Sequence, residues 1–192
     1  MARHIPGVVI AYIHPGETSA YFVESMQTTQ LADMASRGPR RIVNIMQEWS
    51  SANVSDARNR VTARFLDART SDGATVGDWL LWVDADMQWN PDALDKLMES
   101  ADPEERPIVG GLCFGMANGE LVPTIYQLGR TDEDELCTYR VAAYERDSLI
   151  RCVATGAAFI LIHRRVLEAM REAQFNPAFP WFQETQMGDR PC

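Results

Sequence analysis

The sequence predicts an α/β fold: a mostly parallel sheet with helices on both faces and a small antiparallel extension. Three observations predict it. Trp79-Leu80-Leu81-Trp82-Val83 is an unbroken apolar run, too short for a helix and without alternation, as in a strand covered on both faces. Further strand-like runs, Val8 to Ile13 and Arg41 to Met46, alternate with stretches of helical spacing. From Met116 to Arg151 the pattern changes to short segments punctuated by turn signals such as Asn118-Gly119, which suit antiparallel pairing.

Taken in order, the first strand, Val8 to Ile13, is closed by His14-Pro15-Gly16, and Ser19 or Thr18 can cap a helix through Phe22, Met26, Thr29 and Ala32. Gly38-Pro39 precedes the second strand. Ser55 suits the N-cap of a helix through Ala57, Val61, Arg64 and Phe65. Thr70-Ser71-Asp72-Gly73 turns the chain into the central strand. Asn90 suits an N-cap and Pro91 a first helical position for a helix through Leu94, Leu97 and Met98. Ile108 to Phe114 reads as a strand in which Gly110 and Gly111 mark either a close approach of backbone or ligand or a packing bend. Leu121 to Tyr126 and Thr138 to Tyr144 are short antiparallel candidates on either side of the solvated charge run at Asp132 to Glu135. Cys152 to Ile162 reads as a last strand, followed by a helix carrying Val166, Leu167, Met170 and Ala173.

Composition narrows the function classes. With 192 residues, 46% apolar and 23% charged, the chain fits one globular domain. A net charge of −9 argues against an extended nucleic-acid phosphate track. The four cysteines form no Cys-x-x-Cys pair, which argues against a zinc site or disulfide framework and for a reducing cytoplasm. No apolar run approaches a membrane span, and no signal-peptide core precedes the first strand, so a cytoplasmic protein is expected. No G-x-G-x-x-G or Walker loop follows a strand, which argues against dinucleotide oxidoreductases and P-loop NTPases.

The central strand stops at Asp84-Ala85-Asp86. If the chain stays extended there, the two carboxylates point to one side at the carboxyl end of a buried strand, where open α/β sheets bind ligands. Converging carboxylates suit a hard divalent cation, Mg²⁺ or Mn²⁺, with water and a substrate phosphate completing its shell. A helix-capping aspartate beside a solvated one is the plain alternative. A calcium loop starting at Asp84 fails, because Trp89 stands where glycine is needed and Asp95 where a bidentate glutamate is needed.

Trp82-Val83-Asp84-Ala85-Asp86-Met87 with Asn90-Pro91 resembles the Asp-x-Asp motif of GT-A fold glycosyltransferases, particularly the inverting family-2-like enzymes of bacteria and their phages. Ala57-Arg58-Asn59 resembles that family's Ala-Arg-Asn signature, and Thr155-Gly156 its last-strand Thr-Gly, here followed by Arg164-Arg165. The resemblance implies a Rossmann-like domain over 1–192, with a nucleotide-binding half at 1–114 and an acceptor-side half at 115–192. It implies a nucleotide-diphosphate sugar donor, an unidentified hydroxyl acceptor and Mn²⁺ or Mg²⁺ on Asp86, with Asp84 on the metal or the donor ribose. Arg58 and Asn59 face the donor on this reading. His14 and Pro15 either help hold the base or form a plain turn. Thr155 and Gly156 either lay backbone against the sugar or make a tight turn, and Gly111 borders the sugar or acceptor pocket. His163 is a third ligand only in principle, since it lies at a strand's far end.

One piece departs. Pro180-Trp181-Phe182 matches, but the Glu-Asp pair that supplies the family's general base does not follow it. Either Glu184 or Asp189 substitutes, or the chain ends a few residues short of the pair, the reading favoured here. Two other functions compete. A sugar-phosphate nucleotidyltransferase would carry a glycine-rich, arginine-containing loop after the first strand, which His14 to Thr18 does not resemble. A non-catalytic sugar-nucleotide-binding module would not need the base.

Overall fold

In the computed structural model, which describes residues 4–50, 53–132, 134–173 and 176–183, the apolar run does form the central strand. The elements are β1 (His4–Ile5), β2 (Val8–His14), α1 (Ala20–Ala35), β3 (Ile42–Trp49), α2 (Val54–Asp67), β4 (Thr75–Val76), β5 (Trp79–Val83), α3 (Ala93–Ser100), β6 (Ile108–Gly110), β7 (Phe114–Ala117), β8 (Glu120–Pro123), β9 (Ile125–Arg130), β10 (Leu136–Arg140), β11 (Ala154–Thr155), β12 (Phe159–His163) and α4 (Arg164–Ala173).

The main sheet has the order β3-β2-β5-β12-β6. β2 pairs in parallel with β3 and β5, whereas β12 runs antiparallel to both β5 and β6. Four of the five strands therefore point the same way. Alternation along the strands assigns the two layers. Val8, Ile10, Leu81 and Val83 pack with Phe22 and Met26 of α1 and Leu94 and Leu97 of α3. Val9, Ala11, Leu80 and Trp82 pack with Val61, Phe65 and Leu66 of α2 and Leu167 of α4. With helices on both faces, every side chain of β5 is buried, as the continuous apolar run requires.

Several boundaries differ from the sequence reading, each for a local reason. Ser19 caps α1 through its Oγ, which accepts from the Phe22 N–H at 3.0 Å. α2 is capped by Asn53, whose Oδ1 accepts from the Asp56 N–H at 2.8 Å, so Ser55 lies inside the first turn instead of at the cap. Asn90 and Pro91 belong to a turn closed by the Ala93 N–H on the Asn90 carbonyl (3.0 Å), and α3 begins after it. The strand expected to run to Phe114 leaves the main sheet at Gly110, and β7 pairs with β8 around Asn118-Gly119, both at positive φ. The last expected strand divides into β11, on β9, and β12, on β5. Among the described residues no helix is long and apolar enough to cross a membrane. Cys113 and Cys152 are free thiols while Cys137 is disulfide-bonded, a departure from the reduced set expected.

At the amino end of β5 the structure is locked by Arg164, which the sequence shows only as half of an Arg-Arg pair. Its guanidinium donates to the carbonyls of Gly77 (2.8 Å), Leu66 (3.0 Å), Phe65 (2.9 Å) and Val76 (2.7 Å). It also lies 4.2 Å from the Phe65 ring centre. Phe65 and Leu66 sit in the last turn of α2, where carbonyls lack helical partners and a cation is favoured. Replacing Arg164 by Met should therefore destabilise the protein by about 3 kcal/mol or more, because the Gly77 and Val76 carbonyls lose this donor while those of Phe65 and Leu66 keep only the Ala68 N–H and the Arg69 guanidinium. Arg165→Met, at an exposed ion pair with Glu104, should stay within about 0.5 kcal/mol. Urea unfolding of the two variants beside the wild type checks the contrast, and equal losses would refute it.

Candidate active site

Three segments meet at the carboxyl edge of β2 and β5. The Asp84 N–H donates to the Ala158 carbonyl at 2.9 Å. Because Phe159 pairs with Val83, the Thr155–Ala158 lead-in to β12 lies beside Asp84. His14 ends the neighbouring β2, with its Nδ1 accepting from the Gly16 N–H at 3.2 Å. The sequence-predicted residues His14, Pro15, Asp84, Asp86, Thr155 and Gly156 thus come to one edge of the sheet, where parallel α/β sheets bind ligands.

The acidic pair does not stay extended as the sequence reading supposed. The Met87 N–H closes a turn on the Asp84 carbonyl at 3.1 Å. The turn is tied to α1 at three points. Ser19 N–H donates to the Ala85 carbonyl (3.0 Å), Trp89 N–H to Ser25 Oγ (3.1 Å) and Trp89 Nε1–H to Thr29 Oγ1 (2.9 Å). These bonds account for buried Ser25 and Thr29 on an otherwise apolar helix face.

The turn gives the carboxylates different surroundings. Asp84 is half-buried and pairs through Oδ1 with Arg58 Nη2 at 2.5 Å. Asp86 is exposed and makes no hydrogen bond or ion pair among the described residues. Burial pushes the Asp84 pKa up, Arg58 pulls it back by charge and hydrogen bonding, and Asp86 pushes it up again, with a net rise. Arg58 is itself only 8% exposed. Its guanidinium carbon lies 5.4 Å from the Trp82 ring centre and 5.5 Å from that of Phe182, and Nη2 also reaches the Ala157 carbonyl at 3.4 Å. Arg58 Nε and Trp82 Nε1 are buried with no acceptor among the described residues.

The remaining candidates are placed as follows. Asn59, expected to face a donor, spends its amide on the chain itself: it donates to the carbonyls of Ser55 and Phe182 (both 2.7 Å) and accepts from the N–H groups of Trp181 (3.1 Å) and Phe182 (3.3 Å). The glycines answer to packing. A Cβ on Gly156 would lie 2.6 Å from Thr124 Oγ1, and one on Gly111 2.8 Å from Phe159 Cδ1. Gly111 also lines a cleft of about 300 Å³ that opens past Met87, Trp89, Leu97 and Phe159. Arg60 and Arg64 form surface ion pairs with Glu48. His163 pairs with Trp79 at the other end of β5, its ring edge-on to that indole at 4.7 Å, away from the acidic pair. Glu184 and Asp189 lie outside the described residues. Phe182, which the sequence offered only as part of a motif match, stands against Arg58 and Trp82, and Trp181 anchors it through Asn59 and the Leu167 carbonyl.

Among the described residues no three His, Cys, Asp or Glu side chains gather to hold a metal. Two carboxylates still fit a hard cation that keeps several waters and takes its other oxygens from a substrate diphosphate. Asp86, exposed and unpaired among the described residues, and Asp84, engaged by Arg58 through one oxygen, are the residues that would hold it.

An α/β sheet with an acidic pair at its carboxyl edge defines the class, and sequence comparison gives the family. The glycosyl transferase family 2 model matches residues 27–136, more than half of the chain, which takes in Arg58, Asp84 and Asp86. The protein belongs to this family and is a glycosyltransferase. No curated protein matches the chain. Among solved structures, it is similar to a glycosyltransferase involved in the glycosylation of the major capsid of PBCV-1, at 14% identity and a TM-score of 0.34, over 92% of this chain and 72% of that one.

The ion pair generates a prediction. Arg58→Met removes the two effects that lower the Asp84 pKa, so the carboxyl should titrate still higher than in the wild type. The raised folded-state value means that Asp84's contribution to stability is present below its ordinary pKa of 3.8. It is lost as pH climbs through the folded pKa, and the variant moves the end of that window to higher pH. NMR titration of the Asp84 carboxyl carbon in both proteins measures it. An unchanged midpoint would mean that Arg58 does not govern this carboxylate.

Proposed function

We propose that the protein transfers a sugar from a nucleotide-diphosphate donor to a hydroxyl acceptor, with Mn²⁺ or Mg²⁺ and by inversion. The observation that carries this is the acidic pair at the carboxyl edge of β5, with one carboxylate held by Arg58 and the other without a partner among the described residues, in a family 2 chain. Asp86 is the metal ligand. Asp84 contacts the metal or the donor ribose. The cation, when bound, supplies Lewis-acid stabilisation of charge on the departing diphosphate. Arg58 is a donor-side cation that holds Asp84 through Nη2, so it acts on the donor at least in part by fixing that carboxylate. The base that takes the acceptor proton is Glu184 or Asp189.

Calorimetric titration of UDP and of GDP, with and without Mn²⁺, tests the reading. One nucleotide should bind only with metal, and Asp86→Ala should abolish that binding. Wild-type affinity in Asp86→Ala, in the same metal, would refute the assignment. Release of free nucleotide diphosphate from the matching sugar donor separates a transferase from a non-catalytic binder, which would bind without turnover.

A further inference from the structure

A continuous set of contacts runs from Asn59 to Asp84 through the segment that follows α4. The Asn59 amide holds Trp181 and Phe182 by one donated and two accepted hydrogen bonds, all across more than 120 residues of sequence. The Trp181 indole N–H adds an anchor on the Leu167 carbonyl at 2.8 Å. So fixed, the Phe182 ring meets Trp82 edge-on at 5.6 Å and 79° and stands against the Arg58 guanidinium. Arginine is long and flexible, and this one makes few polar contacts. Nη2 reaches Asp84 and, at 3.4 Å, the Ala157 carbonyl, while Nε has no acceptor among the described residues. The two aromatic rings therefore do much of what hydrogen bonds do for Arg164: they leave the guanidinium one place to lie.

We propose that Asn59 and Phe182 are positioning residues: Asn59 fixes Phe182, Phe182 confines Arg58, and Arg58 sets Asp84 for the donor. This rests on the donor-site reading above and extends it to a segment far along the chain. Neither residue touches the donor; both act through Arg58. An aromatic ring at 182 is required because an aliphatic side chain of similar volume offers no negative π-face to the cation.

The test compares Phe182→Leu with Phe182→Tyr, which keeps the ring, and substitutes Phe182→Met should the leucine variant fail to fold. Two readouts are taken. The first is the hydrogen-exchange rate of the Arg58 Nε–H resonance, assigned with Arg58→Lys; the second is Mn²⁺-dependent affinity for UDP and GDP. Removing the ring should speed exchange and weaken nucleotide binding, each roughly tenfold, with a small change in melting temperature, while Phe182→Tyr stays near wild type. Unchanged Arg58 exchange in Phe182→Leu overturns the proposal. So does faster exchange with unaltered nucleotide affinity, since Asp84 would then not depend on the confinement. If the wild type binds neither nucleotide, the functional reading and the donor part of this proposal fall together. The exchange rates then decide separately whether Phe182 confines Arg58.

Discussion

The whole architecture turns on a strand that can admit no polar side chain. β5 lies between β2 and β12 and is covered by α1 and α3 on one face and by α2 and α4 on the other. Burial of its five side chains is a large apolar contribution, about 1.5–3 kcal/mol for each large one, and it forces the first carboxylate to the point where the strand ends. Asp84 therefore sits at a boundary. It is too buried to be an ordinary solvated carboxylate and close enough to the edge to meet a ligand. A charge in that position needs a fixed partner, and Arg58 supplies it.

Arg58 reaches that point through the same packing that builds the core. Val61 and Phe65 of α2 must face the sheet, and Arg58 stands three and seven residues before them, on the same face of the helix. Arg164 makes an informative contrast at the other end of β5. Both arginines are buried and both lie against an aromatic ring. Arg164 donates to four backbone carbonyls and is a cross-brace between α2 and the chain entering β5. Arg58 has one carboxylate, one long contact to a carbonyl and a buried Nε without an acceptor among the described residues. Incomplete satisfaction of a buried cation is costly where only stability is at stake. Its occurrence at the carboxyl edge of the sheet, where the proposed donor site lies, and not at the braced end, fits a group kept for the site.

Much of this was legible in the sequence because it is local. The continuous run at Trp79–Val83, the Ser19 cap, the Asn118-Gly119 hairpin and the Asp84–Asp86 pair are all set by neighbours a few residues away. The features that were missed depend on distant partners. Asn59 looks like a donor contact within its motif, and only the arrival of Trp181 and Phe182 more than 120 residues later shows that its amide is occupied. Arg164 and Arg165 are indistinguishable in sequence, yet one is buried among carbonyls and the other lies at the surface. The break of the last strand at 156–158 reflects a change of partner from β9 to β5, which no local spacing records. The bend after Asp84 was missed for a similar reason: Asp-Ala-Asp carries no strong turn signal, and the turn is held from outside by α1 through Ser19, Ser25 and Thr29.

That bend has a chemical consequence. An extended Asp-x-Asp would have given two like carboxylates aimed at one point, an arrangement that needs a cation simply to relieve repulsion. The turn instead makes them unlike. Asp84 is half-buried, neutralised by Arg58 and fixed in direction, while Asp86 is exposed and unpaired among the described residues. A pair divided in this way can separate two tasks that one geometry serves poorly. The fixed member suits a directional contact, which gains most when its orientation is set before the ligand arrives. The free member suits a divalent ion, whose shell must adjust as waters and phosphate oxygens exchange. The asymmetry is thus the physical basis for giving Asp84 and Asp86 different roles, and it originates in α1, outside the motif itself.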